Sequence, residues 1–166
     1  MRVGARIQVS APADAVWAFI SDPSRYLHFM SGITRWEVES EEPAGLGARY
    51  RMLMRVRSAE IGGLVEIVEW DPARDMAWVS VTGIDQRGRW RLRERRFGRT
   101  DVEFRLSYGV AGSGLLGWLA ERIAAPTVTD HLRRTLQQLK RQVEHEQLRA
   151  AAAARREAKQ RAAAGD

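Results

Sequence analysis

Three glycines in the stretch GSGLLG, Gly112, Gly114 and Gly117, match the G-x-G-x-x-G spacing with which a helix start holds dinucleotide phosphates. They follow an alternating segment, TDVEFRLSYGV, and open a helical one, LLGWLAERIAA. In a dinucleotide fold such glycines begin a strand–helix–strand unit of a parallel sheet, with an acidic residue about 20 residues on for the ribose. Here no strand pattern follows residue 118, and Asp130 falls within the helical pattern. The glycines are therefore read as a sharp turn from strand into helix. Histidines are few: His28, His131 and His145 stand far apart, and no H-E-x-x-H or G-x-S-x-G occurs. His131, beside Leu132 on the helix, reads as an exposed or hydrogen-bonded neighbour of the core. With no cysteine there is no disulfide, thiolate metal site or cysteine nucleophile, and neither a metal nor a cofactor is expected. What remains for acid–base work is Tyr50, Tyr108 and Glu69, the last only where burial lifts its carboxyl toward neutrality. Glu69 reads more simply as an exposed strand end before WDP.

The elements that would position these groups follow from periodicity. ARIQVS alternates as a half-buried strand. APADAVWAFISDPSRYLHFM then encodes two short helices, with Pro12 and Asp14 suited to the first turn of one and SDPS breaking between them. Six further alternating segments follow, separated by turn residues: ITRWEVES, ARYRMLMRVR, EIGGLVEIVEW, MAWVSVTG, RGRWRLRERRF and DVEFRLSY. Short amphipathic strands with tight turns imply an antiparallel meander. In the last two strands the apolar residues are even-numbered, so paired residue numbers must sum to an even number. A three-residue loop, Gly98 to Thr100, meets that condition and sets Arg95 beside Glu103. Finally Leu115, Leu119 and Ile123, then Val128, Leu132, Leu136, Leu139 and Val143, recur at helical spacing across Pro126, giving one long amphipathic helix bent at the proline. The expected fold is α+β: a curved seven-stranded antiparallel sheet around a long C-terminal helix, with two short helices after strand 1.

That order of elements resembles the helix-grip fold of the START-like (SRPBCC) superfamily, from residue 3 to about 146. The most specific part is IQVSAPADAVWAFISDPSRYLHFMSGITRWEV (7–38), which is similar to the polyketide cyclase/dehydrase, lipid-transport and coenzyme-Q-binding branch. GARYR (47–51), VEIVEWDPARDMAW (65–78) and GRWRL (88–92) sit where that branch has comparable segments. Leu27 departs from it, since a proline often follows the tyrosine there. The resemblance implies a START-like domain over residues 1–146 and a separate basic Ala/Arg-rich extension over 147–166, helical or disordered. It also implies a cavity between the concave sheet and the helix that takes a lipid, polyketide or quinone-like molecule as cargo, signal or client. The inward residues expected to line it are Trp36, Tyr50, Met52, Met54, Trp90, Phe104 and Tyr108 of the sheet, with Trp78 on a strand apolar on both faces, and Leu119, Ile123 and Leu132 of the helix. An aromatase/cyclase in this superfamily works largely by positioning its substrate, so missing motifs leave an enzyme open, though the residues favour binding over catalysis.

Of the 166 residues, 45% are hydrophobic and 29% charged, enough for one domain with a core. The net charge is +6, and from Arg149 onward five Lys/Arg face two carboxylates. Arg49, Arg51, Arg55 and Arg57 on one strand and Arg87, Arg89, Arg91 and Arg93 on another take the outward parity. They read as a solvated face partnered by Glu37, Glu39, Asp101 and Glu103 across strands. A body this mildly basic makes nucleic acid an unlikely partner. Peripheral contact of the basic tail with anionic membrane, or of the outer face with a ribosome, is the alternative from a different class. No leader pattern and no run of about 18 apolar residues is found, and a cytoplasmic location is expected.

Overall fold

Period-two alternation builds the sheet, and the described residues of the computed structural model are 1–109 and 114–164 for the backbone, 1–109 and 125–163 for side chains. Strand β1 (Arg2–Val9) leads through helix α1 (Ala13–Ile20), a 3-10 turn (Pro23–Arg25) and the short helix α2 (Tyr26–Phe29) into six strands. These are β2 (Ile33–Val38), β3 (Arg49–Val56), β4 (Ala59–Asp71), β5 (Asp75–Ser80), β6 (Asp85–Arg95) and β7 (Arg99–Gly109). Helix α3 (Gly114–Ala164) then runs unbroken through Pro126. All seven strands form one antiparallel sheet in the order β1-β7-β6-β5-β4-β3-β2. Strands β2 to β7 are the expected meander, and β1 closes its far edge by pairing with β7 from Arg2↔Ser107 to Val9↔Thr100. The architecture is the α+β helix grip that the sequence implies.

Local chemistry sets the boundaries. Asp22 caps the 3-10 turn by accepting from the Ser24 N–H at 3.0 Å, where SDPS had marked a break. The even residues of β3, β6 and β7 face the helix, where Val128, Leu132, Leu136, Leu139 and Val143 are all buried. Two irregularities change which residues point inward. A register shift in β4 between Ile67 and Glu69 moves the inward set from Val65 and Ile67 to Trp70, and turns Glu69 outward. A second shift in β2, between Ile33 and Arg35, brings odd-numbered Ile33 and even-numbered Trp36 to the same buried face.

The β6–β7 hairpin keeps the expected parity, but its loop is Arg96 to Gly98 and Arg95 faces Arg99. The turn is centred two residues earlier in the chain, on Phe97 instead of Arg99, because Phe97 and Gly98 both take left-handed backbone (φ 64° and 61°) and reverse the chain there. Glu103 is consequently opposite Arg91, and Arg95 reaches Asp101 at 2.7 Å instead. Of the three motif glycines, Gly114 and Gly117 belong to α3, while Gly112 lies outside the described residues. Among the described residues no helix is long and apolar enough to cross a membrane.

Candidate functional site

The concave face divides into a filled part and an open part. In the filled part, Tyr26 stacks on Trp36 (ring centroids 4.1 Å apart), Trp36 on Tyr50 (4.9 Å), and Trp90 on Phe104 (4.0 Å). Trp78 lies across Gly88, where any side chain would collide with its indole, and tilts against Phe104. That places β5's Trp78 and Met76 inward. Leu132 is fully buried under the same layer. Of the expected lining, Trp36, Tyr50, Trp78, Trp90, Phe104 and Leu132 therefore form interlocked core. Side chains this large interlock where the strands curve toward the helix.

The open part lies where β3 turns into β4, β5 into β6, and β7 runs out toward α3. Here Met52, Met54, Ile61, Gly62, Ile84, Gln86, Leu106, Tyr108 and Val128 surround a hollow of about 30 Å³, room for one or two waters. Of the expected lining, Met52, Met54 and Tyr108 are on this hollow. The side chains of Leu119 and Ile123 lie outside the described residues. Gln86 was missed, although it occupies an even, inward position of β6 one rung before Gly88; parity carried past the start of the arginine row would have found it. Gln86 and Tyr108 face each other in register. They are the polar side chains on an otherwise apolar wall. Gln86 is 6% exposed and its backbone N–H donates to Ser80 Oγ at 3.1 Å, yet no described residue is hydrogen-bonded to its side-chain amide.

The rim of the hollow is set by a backbone contact. The β5–β6 loop folds onto β4, with the N–H of Val81 donating to Leu64 O (2.7 Å) and that of Ile84 to Gly62 O (3.3 Å). A Cβ on Gly63 would strike Thr82, and one on Gly83 (φ 86°) would strike Gly62. Only bare backbone lets the loop come this close, and so lets Ile84 reach the hollow. On the helix side, His131 Nε2 donates to Arg55 O (3.1 Å) and its Nδ1 accepts from Ser31 Oγ (3.1 Å), while Ser31 N–H donates to Thr135 Oγ1 (2.9 Å). His131 is thus a satisfied structural neighbour.

The remaining acid–base candidates are elsewhere. Tyr50 donates its phenol to Pro43 O at 2.8 Å, and burial pushes it up to about 12, so it holds its proton near neutrality. Glu69, corrected by the β4 bulge to the convex face, is held by both terminal nitrogens of Arg89. That face also carries larger, shallow grooves of about 420 and 320 Å³, lined by arginines and their carboxylate partners. Asp75 accepts from Arg91 (2.9 Å) and Arg93 (3.1 Å) and lies 3.4 Å from Arg89. Glu39 partners Arg51, Glu66 partners Arg49, and Glu103 partners both Arg6 and Arg105. Compensated ion pairs of this kind leave little unspent charge for a ligand. No cluster of three or more His, Asp or Glu that could hold a metal occurs among the described residues.

Both the sequence pattern and the fold recur in known proteins. A family profile described as polyketide cyclase/dehydrase and lipid transport matches residues 1–144. No relative was found among curated proteins. Several solved structures share the fold. A protein from Thermus thermophilus is 20% identical with TM-score 0.74, covering 86% of this chain and 97% of its own. The Zhui aromatase/cyclase from a Streptomyces species is 21% identical with TM-score 0.73, covering 87% and 93%. A START superfamily protein from Mycobacterium smegmatis is 15% identical with TM-score 0.67, covering 86% and 98%.

Proposed function

Because the chain belongs to the polyketide cyclase/dehydrase and lipid transport family, we propose that it binds a hydrophobic small molecule bearing a polar group between the curved sheet and α3. The molecule would be lipid, polyketide or quinone-like, taken as cargo, signal or client. One observation carries the reading: Gln86 and Tyr108 stand together on an apolar wall at the end of the concave face that rings do not fill. The side-chain amide of Gln86 makes no hydrogen bond to a described residue, so it is open to pairing with water or with a polar group of a ligand. A hollow of about 30 Å³ holds no ring, so binding must widen it. Met52 and Met54, unbranched and adaptable, are suited to that change. Burying some 300 Å² of apolar ligand surface contributes roughly 7 kcal/mol, and association costs reduce this to micromolar affinity.

A cyclase-type reaction is the second reading. It is favoured by Tyr108 alone, the one of the three acid–base candidates on the hollow. Native mass spectrometry of protein purified from its own host separates the readings. A co-purifying apolar mass, lost on Gln86→Leu, supports binding. Turnover of a polyketide mimic, abolished by Tyr108→Phe, supports catalysis. An empty protein that also takes up neither a fatty acid nor an aromatic polyketide probe overturns both.

A further inference from the structure

The end of the molecule opposite the hollow carries an unusual combination of groups. Beyond the Asp75↔Arg91 rung β5 no longer pairs with β6, and the β6–β7 hairpin runs on to Arg95↔Arg99 with β1 alongside β7 as far as Val9↔Thr100. At its tip Phe97 is 91% exposed and held at φ 64°, a conformation that bulky side chains avoid. Arg96 and Arg99 flank it, exposed and without an ion pair among the described residues. An aromatic ring kept in water on strained backbone contributes nothing to the fold.

Helix α3 leaves the body at the same end. Lys140 Nζ donates to Gln8 O (2.7 Å), and Glu144 accepts from the Ser10 N–H (2.7 Å), so the helix runs toward the end of β1, where Val9 pairs with Thr100 beside the hairpin tip. From Leu148 to Ala163 it is exposed all round and projects about 25 Å beyond the body. At 3.6 residues per turn, Arg149, Arg155, Arg156 and Lys159 fall within an arc of about 120°, and Leu148, 71% exposed, lies in the same arc. Two elements distant in sequence thus present cations without an ion pair among the described residues, together with a large apolar side chain, at one pole.

We propose that this pole docks on an anionic phospholipid bilayer, with Phe97 inserted below the headgroups and the basic stripe of α3 lying along them. A bilayer offers both the anionic layer and the apolar layer beneath it. A polyphosphate chain would use the cations but leave Leu148 in water. The helix lacks a continuous apolar face, so its place is at headgroup level.

The test is co-sedimentation of the full chain with vesicles of phosphatidylcholine alone or mixed with phosphatidylserine. Binding is expected only to the mixture, falling at least ~10-fold between ~0.1 and ~0.5 M salt. Phe97→Asn should reduce it roughly tenfold. Because asparagine accepts left-handed backbone, this variant should melt no lower than the parent, which separates docking from folding. Replacing Arg149, Arg155, Arg156 and Lys159 together by Gln, which preserves helix propensity, should reduce binding by at least ~10-fold. No binding to the mixed vesicles at ~0.1 M salt overturns the proposal. So does binding that Phe97→Asn leaves intact and that single-stranded RNA competes away, since the pole would then be a polyanion site.

Discussion

Asp75 is the residue on which the outer face converges. It is only 8% exposed, yet three arginines of β6 gather on its two oxygens. Burial alone would raise its carboxyl, but the hydrogen bonds and charges of Arg91 and Arg93 outweigh burial and hold it below its ordinary value of 3.8. A folded-state pKa below the unfolded one gives stability that is complete above about pH 4 and lost as the pH falls through the folded value. Asp75→Asn should therefore cost ~2 kcal/mol in urea unfolding at pH 7, because it leaves a cluster of cations without its anion. The cost should shrink as both proteins are measured below pH 4. A constant difference at all pH values would mean that packing, not charge, is what Asp75 supplies. Gln86 makes the opposite case. Its side-chain amide has no described partner, so Gln86→Leu should leave the melting temperature unchanged or raise it, while lowering affinity for an oxygen-bearing apolar probe about tenfold by titration. Equal loss of stability and affinity would make it an ordinary core residue.

At the level of elements, the β5–β6 loop positions the rim and depends on its glycines. Gly83→Ala places a Cβ against the Gly62 carbonyl and keeps φ at 86°, so a loss of ~2 kcal/mol is expected, with faster amide exchange at Ile84 and Gln86 than in β7. A uniform rise in exchange would show that the loop is not a separate unit. Alternation made most strands and their faces legible in the sequence, but β5 is apolar on both sides and its inward side could not be chosen from period two. The shifts were not legible: nothing in VEIVEW says that Val68 drops out of the pairing, so the sequence reads Glu69 as exposed only as a strand end and not through the bulge that turns it outward. The hairpin tip failed for a similar reason. Parity allowed several loops of odd length, and left-handed backbone at a phenylalanine is a choice that sequence statistics disfavour.

Across the whole molecule, the sequence could tell which side chains face inward but not how tightly they fill the space, because filling depends on sheet curvature and ring orientation. Hence the stacked aromatics became core, and the hollow moved to the end where Met52, Met54, Gln86 and Tyr108 meet Val128. Widening that hollow must work against whatever ties α3 to the sheet. Toward its C-terminus the helix is held by Lys140, Glu144 and Gln142, the last donating to His28 O at 3.0 Å, and by the Arg25–Glu146 pair at 2.9 Å. Next to the hollow the described ties are His131, bonded to Arg55 O and Ser31 Oγ, and Thr135. Among the described residues α3 thus has more polar ties toward its C-terminal side than beside the hollow. His131→Ala removes two modest hydrogen bonds and should cost about 1–2 kcal/mol. If widening admits the ligand, the same change should speed both uptake and release of an apolar probe in stopped-flow mixing. Amide exchange should rise over residues 125–132 and stay unchanged over 136–146. Unaltered uptake rates, with exchange rising along the entire helix, would show that α3 moves as one rigid rod and that entry to the hollow lies elsewhere on its rim.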